Sequence, residues 1–314
     1  MQQSRQPLTQ FRQAIDRRDF LITAEVAPPK GTNPAHMIQM ASLLQGRVHA
    51  VNITDGSRAV MRMASLVSAL LLLEQGIEPV YQVACRDRNA IGLQADLLGA
   101  HALGIRNVLA LTGDPVKAGD HPDAKPVFDL ESVRLLQLIT KLNTGFDWVD
   151  HALTDGATDL CVGAAVDPQC GSWSGLKRRF ERKVNAGAQF FQSQLITDFD
   201  RLETFMAEIG RPAGKPILAG IFLLKSAKNA RFINRAVPGV NIPEHIIDRL
   251  ERATDPLQEG IQIAAEQVQM AQQICQGVHL MAVKREDLIP QILDRAGIAP
   301  LQPKAPSNGQ KISI

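Results

Sequence analysis

Apolar residues in this chain come in short runs, and polarity gathers at the end of each run instead of alternating through it. The runs read LITAEVAPP (21–29), HAVNITDG (49–56), PVYQVACRD (79–87), NVLALTGDP (107–115), LCVGAAVDP (160–168), FFQSQLITD (190–198), PILAGIFLLK (216–225) and GVHLMAV (277–283). A strand with one wet face alternates; a parallel strand covered on both faces is continuously aliphatic, as these are. Between them lie segments of helical spacing: from Asn33-Pro34 through Leu44, 59–75, from Asn89 to a stop at Gly104, 130–142 behind Asp129, 175–186 behind Ser174, 201–209 behind Asp198 or Asp200, and one opening at Ser226. Pro243 and Pro256 then begin two successive helices, 244–253 and 256–276, and a last helix occupies 286–296.

Strands that alternate this regularly with helices predict one α/β domain, a (β/α)8 TIM barrel with extra helices before strand eight. The domain is expected over residues 19–298. A polar N-terminal extension (1–18), loosely held over its first 15 residues, precedes it, and a flexible C-terminal tail (299–314) follows. A doubly wound open sheet is the competing arrangement, yet the chain contains no GxGxxG or GxxxxGK[ST]. In a parallel barrel, side chains at the carboxyl ends of the strands meet in one mouth, so the polar ends of these runs mark the candidate active face.

Composition narrows the classes. The 314 residues are 45% hydrophobic, and 34 basic against 32 acidic side chains leave a net charge of +2, too small a field for nucleic acid or a membrane surface. Aromatics are 4% of the chain, with Tyr81 its single tyrosine, so no base-stacking ladder is present. The start lacks an apolar signal segment, and the longest apolar stretch, Leu66 to Leu73, is about half a membrane span; a cytoplasmic protein is expected. Cys85, Cys161, Cys170 and Cys275 are widely spaced, which predicts neither a zinc site nor disulfides. The seven histidines do not cluster in sequence, and no metal site or Ser-His-Asp triad is expected.

Several strand ends carry candidate chemistry. Glu25 shares a strand face with Thr23, and its neighbours Ala24, Val26 and Ala27 offer little solvation, which favours an uncharged general acid. Pairing with an Arg or Lys of a neighbouring strand is the structural alternative. Asp114 lies in L-T-G-D-P, where Gly113 permits close backbone approach to a ligand and Pro115 stiffens the exit; a plain turn is its alternative. In C-R-D-R-N (85–89) two guanidiniums and a carboxylate precede a helix start, which suits a phosphate or pyrophosphate, or simply a cap with ion pairs. Thr54-Asp55-Gly56-Ser57 forms a polar turn. Gln194 is an amide inside a strand and needs partners, from a ligand or the protein. Lys183 ends a helix, where a cation suits the dipole, and Lys225 and Lys284 end strands seven and eight.

Taken in order, A-E-V-A-P-P-K, Thr54-Asp55-Gly56, C-R-D-R-N, L-T-G-D-P, K-V-N-A-G-A-Q-F-F-Q-S-Q and P-I-L-A-G-I resemble the methylenetetrahydrofolate reductase family over residues 20–297. The resemblance implies a flavoprotein that binds FAD across the carboxyl-end face and reduces 5,10-methylenetetrahydrofolate to 5-methyltetrahydrofolate. On that footing Glu25 is the acid that opens the imidazolidine ring, and Asp114 the carboxylate beside flavin and pterin. Thr54, Gln82, Cys85, Arg86, Asp87, Thr112, Gly113, Asp114, Ala165, Asp167 and Lys183 would contact the cofactor, and Glu25, Gln194 and Lys225 the folate. NADH, NADPH or a redox partner protein would supply electrons, and a homo-oligomer is expected. Gln82 stands where many members carry histidine, Thr112 where many carry arginine, and Val166-Asp167-Pro168 replaces a Tyr-Pro-Glu pattern, a combination similar to acetogen-type and fused methyltransferase-reductase members. The alternatives are a pterin-binding methyltransferase barrel and a non-catalytic barrel subunit of a redox or methyl-transfer complex.

Overall fold

The structure, a computed structural model, describes residues 8–237 and 239–301. All eight expected strands form and close in chain order into one parallel barrel. In sequence the elements are α1 (Gln10–Arg17), β1 (Leu21–Val26), α2 (Ala35–Ser42), β2 (Ala50–Ile53), α3 (Ser65–Glu74), β3 (Pro79–Ala84), α4 (Ala90–Ala102), β4 (Asn107–Leu111), α5 (Ser132–Asn143), β5 (Cys161–Val166), α6 (Trp173–Asn185), β6 (Phe190–Leu195), α7 (Phe199–Phe205), β7 (Ile217–Phe222), α8 (Ala227–Ala236), α9 (Glu244–Arg252), α10 (Pro256–Ile274), β8 (Gly277–Met281) and α11 (Ile289–Arg295). β2, β4 and β5 end directly at a polar residue (Thr54, Thr112 and Asp167), and the polar residues that close the other runs lie further along the loops of the carboxyl-end face. The two successive helices expected at 244–253 and 256–276 are present as α9 and α10, after α8 and before β8.

Alternation along the strands sorts the side chains. Ile22, Ala24 and Val26 pack outward into the main core under the helices, while Thr23 and Glu25 turn into the barrel. The amino-end half of the lumen is filled: Leu21, Ala50, Val80, Leu109, Cys161, Phe190 and Leu218 form one apolar plug with Phe11 and Ala14 of α1. A Cβ on Gly163 would lie 2.3 Å from the Phe190 ring, so the absent side chain is what admits that phenyl group to the lumen. This plug forms an apolar floor beneath the carboxyl-end half of the lumen.

The start of the chain departs from expectation. Residues 10–17 are a helix and not a loose extension. Thr9 caps it, Phe11 is fully buried and meets Phe190 edge-on at 5.0 Å. The Glu78 carboxylate accepts hydrogen bonds from the Gln10 and Phe11 amides at 2.7 and 3.1 Å, satisfying free N–H groups of the first turn. Burial raises the Glu78 pKa, opposed by these hydrogen bonds and those with Thr9 and Asn107. The expected C-terminal tail falls beyond residue 301 for all but its first three residues and so lies outside the described residues.

Other boundaries also shift. Helix 59–75 begins only at Ser65, because Arg58 and Ala59 take left-handed backbone angles and the chain stays irregular to Ala64. Asp129 does not cap α5; it accepts from the Ala90 amide at 2.8 Å and so caps the neighbouring α4, leaving Glu131 to cap α5. Ser172, two residues before the expected Ser174, caps α6.

His49 ties the entrance of β2 to β1: its buried Nδ1 accepts the Ile22 amide at 3.0 Å. Burial lowers its pKa below the ordinary 6.5, against the pull of Asp19. Below that ordinary value the unfolded chain binds a proton that the folded ring refuses, so stability falls as pH drops from 7 toward 5 and is flat above. His49→Asn keeps an acceptor for Ile22 and does not titrate. Denaturation midpoints measured across that range should depend less on pH in the variant; equal slopes would clear His49 of the effect.

Candidate active site

A cavity of about 360 Å³ opens at the carboxyl-end face, within the range of small-ligand sites. The structure brings Glu25 and Asp114 to this one cavity, together with Gln82, Arg86, Thr112, Gly113, Ala165, Lys183 and Gln194. Thr54, Cys85, Asp87, Asp167 and Lys225 do not line it.

Glu25 comes from the end of β1, where its flanking alanine and valine point away to the helices. Its side chain is 23% exposed, and the side chain facing its carboxylate is His279 of β8, with Nε2 3.8 Å from Oε2, in place of the Arg or Lys that a structural pairing would supply. An acid with one wall of protein and one open side can meet a ligand.

Asp114 follows β4 on an exposed loop and accepts the Arg58 amide at 2.7 Å. Arg58 and its neighbour Ala59 have φ of 57° and 56°, a conformation that costs a non-glycine residue about 1–2 kcal/mol and persists only where surrounding contacts impose it. Here two carboxylates impose it. Asp114 holds Arg58, and Asp120 accepts the Met61 amide at 2.9 Å while pairing with Lys30 at 2.6 Å. At Gly119 an added Cβ would lie 1.8 Å from the Ala59 oxygen, so the loops after β2 and β4 are in backbone contact. Gly113 has φ +94°, and a Cβ there would press on Arg86 and Ala84, so glycine is required and the backbone is left bare at the cavity edge.

The C-R-D-R-N segment is not an open anion receptor. The buried Arg86 guanidinium is held by Asp87, at 2.7 Å, and by the Gly56 carbonyl. Arg88 is held by Asp55 and Asp96 at 2.7 and 2.8 Å. Cys85 faces the helices, fully buried, with its thiol pushed up to about 12 by burial. Among the described residues lining the cavity, Lys183 is a cation that no carboxylate holds: it reaches the end of β5, donating to the Ala165 carbonyl at 2.7 Å, and burial lowers its pKa, against the pull of Glu131. Thr112 accepts from the Ser132 amide, and Asp167 from that of Gln169. Lys225 is turned toward the Val283 carbonyl. The buried Thr54 hydroxyl has no partner among the described residues. Gln194 is exposed at the mouth because β6 slips register between Gln192 and Leu195; Ser193 there accepts the Gly220 amide and donates to the Gln194 carbonyl.

Two cavity residues escaped sequence reasoning. Gln192 sits two residues before Gln194 on the same face, and His279 lies in the middle of an apolar run. The signal was there for His279, a polar residue between the aliphatic Val278 and Leu280 on a buried strand, whereas Gln192 lies between Phe191 and Ser193 and stands out less. Both belong to a buried polar layer with Thr23 and Asn52. Among the described residues, no three His, Cys, Asp or Glu side chains are grouped to hold a metal, and no helix is long and apolar enough to cross a membrane.

The family described as methylenetetrahydrofolate reductase matches residues 10–297. Methylenetetrahydrofolate reductase 1 of Schizosaccharomyces pombe is 27% identical over 236 residues, 71% of this chain and 36% of that protein. A probable methylenetetrahydrofolate reductase (NADPH) of Caenorhabditis elegans is 24% identical over 305 residues, 92% of this chain and 44% of that protein. The chain therefore spans less than half the length of these relatives. Among solved structures, a Clostridium thermocellum protein described as binding two copies of 5-methyl-5,6,7,8-tetrahydrofolic acid has the same fold, with a TM-score of 0.62 at 13% identity, covering 91% of this chain and 97% of that one.

Proposed function

The chain belongs to the methylenetetrahydrofolate reductase family, and we propose that it reduces 5,10-methylenetetrahydrofolate to 5-methyltetrahydrofolate as a flavin-dependent oxidoreductase, drawing electrons from NADH, NADPH or a redox partner protein. The observation that carries this reading is the convergence of Glu25, Asp114 and Gln194 on one cavity above a sealed apolar floor.

The residues present suit a flavin ring. Ala84, Leu109, Leu111 and Met281 offer apolar contact, and Gln82, Thr112 and the bare backbone at Gly113 offer donors and acceptors for a flat heterocycle. Gln82, Thr112, Gly113, Ala165 and Lys183 would hold it, with Lys183 in place of Arg86 as the cation available to a phosphate. When bound, a flavin supplies the hydride.

The chain's own residues then have separable tasks. Glu25, as the carboxylic acid, delivers its proton to a ring nitrogen of the imidazolidine; the C–N bond breaks, its electron pair stays on that nitrogen, and an iminium remains. Asp114 stabilises that positive charge from the rim. Gln194 offers both a donor and an acceptor to the pterin edge. The apolar plug beneath keeps bulk water from entering through the barrel.

The test is spectral and then kinetic. The purified chain, supplied with FAD, should show flavin absorbance in the visible blue, and reduced flavin should be reoxidised by the folate. Folate binding without flavin uptake would favour the methyltransferase-type barrel. Flavin uptake without folate turnover would favour a non-catalytic subunit.

A further inference from the structure

The polar layer beneath Glu25 has a direction. Gln192 and Asn52 form a reciprocal amide pair across the barrel: Asn52 Nδ2 donates to Gln192 Oε1 at 2.7 Å, and Gln192 Nε2 donates to Asn52 Oδ1 at 3.0 Å. The second N–H of Gln192 donates to Thr23 Oγ1 at 3.0 Å. Thr23 Oγ1 also lies 3.0 Å from His279 Nδ1. Because its oxygen already accepts from Gln192, the threonine hydroxyl proton is free, and Nδ1 is the acceptor within reach. A proton on Nδ1 instead would leave the hydroxyl proton with no acceptor in a buried site, which is unfavourable. The neutral ring therefore carries its proton on Nε2, the nitrogen facing Glu25 Oε2 at 3.8 Å.

We infer that His279 is a positioning residue for Glu25, its tautomer set by the Gln192–Thr23 pair, so that an N–H meets one carboxylate oxygen and leaves the other for substrate. The role rests on Glu25 being the acid of the proposed reaction. The 3.8 Å separation is long for a hydrogen bond, as catalytic contacts often are before a ligand closes the site. Once Glu25 has given up its proton, the same N–H stabilises the carboxylate left behind. Among the described residues, the ring faces no other titratable group within this layer: Thr23 and Glu25 approach from β1, Gly220 lies beside it on β7, and Asn52 and Gln192 complete the layer from β2 and β6. Asp55, Arg86, Asp114 and Lys183 share the cavity above.

Nitrogen-15 spectra of the full chain at neutral pH test the tautomer directly. The His279 ring should show a protonated Nε2 and an unprotonated Nδ1, and Thr23→Val should give a mixture of tautomers. In the flavin-loaded enzyme, Thr23→Val should slow the folate half-reaction about tenfold and move the midpoint of its pH profile, and Thr23→Ser should restore both. A protonated Nδ1 in the parent chain, or a pH profile unmoved by Thr23→Val, overturns the inference. The spectrum of the parent chain requires neither turnover nor a folded variant, so it decides the tautomer even if the chain proves not to reduce folates.

Discussion

Glu25→Gln is expected to leave flavin bound and reducible while slowing reduction of 5,10-methylenetetrahydrofolate by about a hundredfold or more. The amide has nearly the shape of the acid, so β1 and the cavity wall are preserved. It carries no transferable proton, so opening of the imidazolidine ring loses its donor. General acid catalysis contributes on the order of 10²–10⁴ in rate, or ~3–5 kcal/mol. The other carboxylates lining the cavity are engaged elsewhere, Asp55 by Arg88 and Asp114 by the Arg58 amide, and the side chain facing Glu25 is His279. Rapid mixing that follows the two half-reactions separately provides the check: reduction of the flavin by donor near the parent rate, and reoxidation by folate collapsed. Reoxidation at the parent rate would remove Glu25 from the mechanism.

Asp114→Asn should have the next largest effect, on the order of tenfold in the folate half-reaction. Its side chain is exposed, so water and salt screen its charge more than they would that of a buried group. The substitution also isolates charge from structure. The asparagine carbonyl can still accept the Arg58 amide, so the strained loop at 57–59 should stay in place. The midpoint potential of a bound flavin should rise, since removing a neighbouring negative charge favours the electron-rich reduced form. Potentiometric titration of parent and variant measures this. An unchanged potential with a slowed folate step would assign Asp114 to the substrate alone, and no change in either would reduce it to a tether for the loop.

The barrel and the active face could be read from the chain because both are local properties. A strand covered on two sides must be aliphatic until it reaches the loop, so each apolar run announces a strand and its polar end marks the mouth. Glu25 could be placed inside the barrel by the same reasoning, since it alternates with Ala24 and Val26. Helix α1 was hidden by its polar composition, although Thr9, Phe11, Ala14 and Ile15 have the spacing of a capped amphipathic turn. What reveals its role is Phe11 meeting Phe190, a contact that exists only once the barrel has closed.

By itself, the sequence determined eight buried strands, the face to which their polar ends belong, and the acid at the end of the first. Only the tertiary structure decided that Arg86 and Arg88 are spent on carboxylates, that Lys183 reaches β5, and that His279 stands beside Glu25. The physical reason is range: alternation and capping act over a few residues, whereas the Thr23–His279 contact joins positions 256 apart and is created by the closure of β8 onto β1.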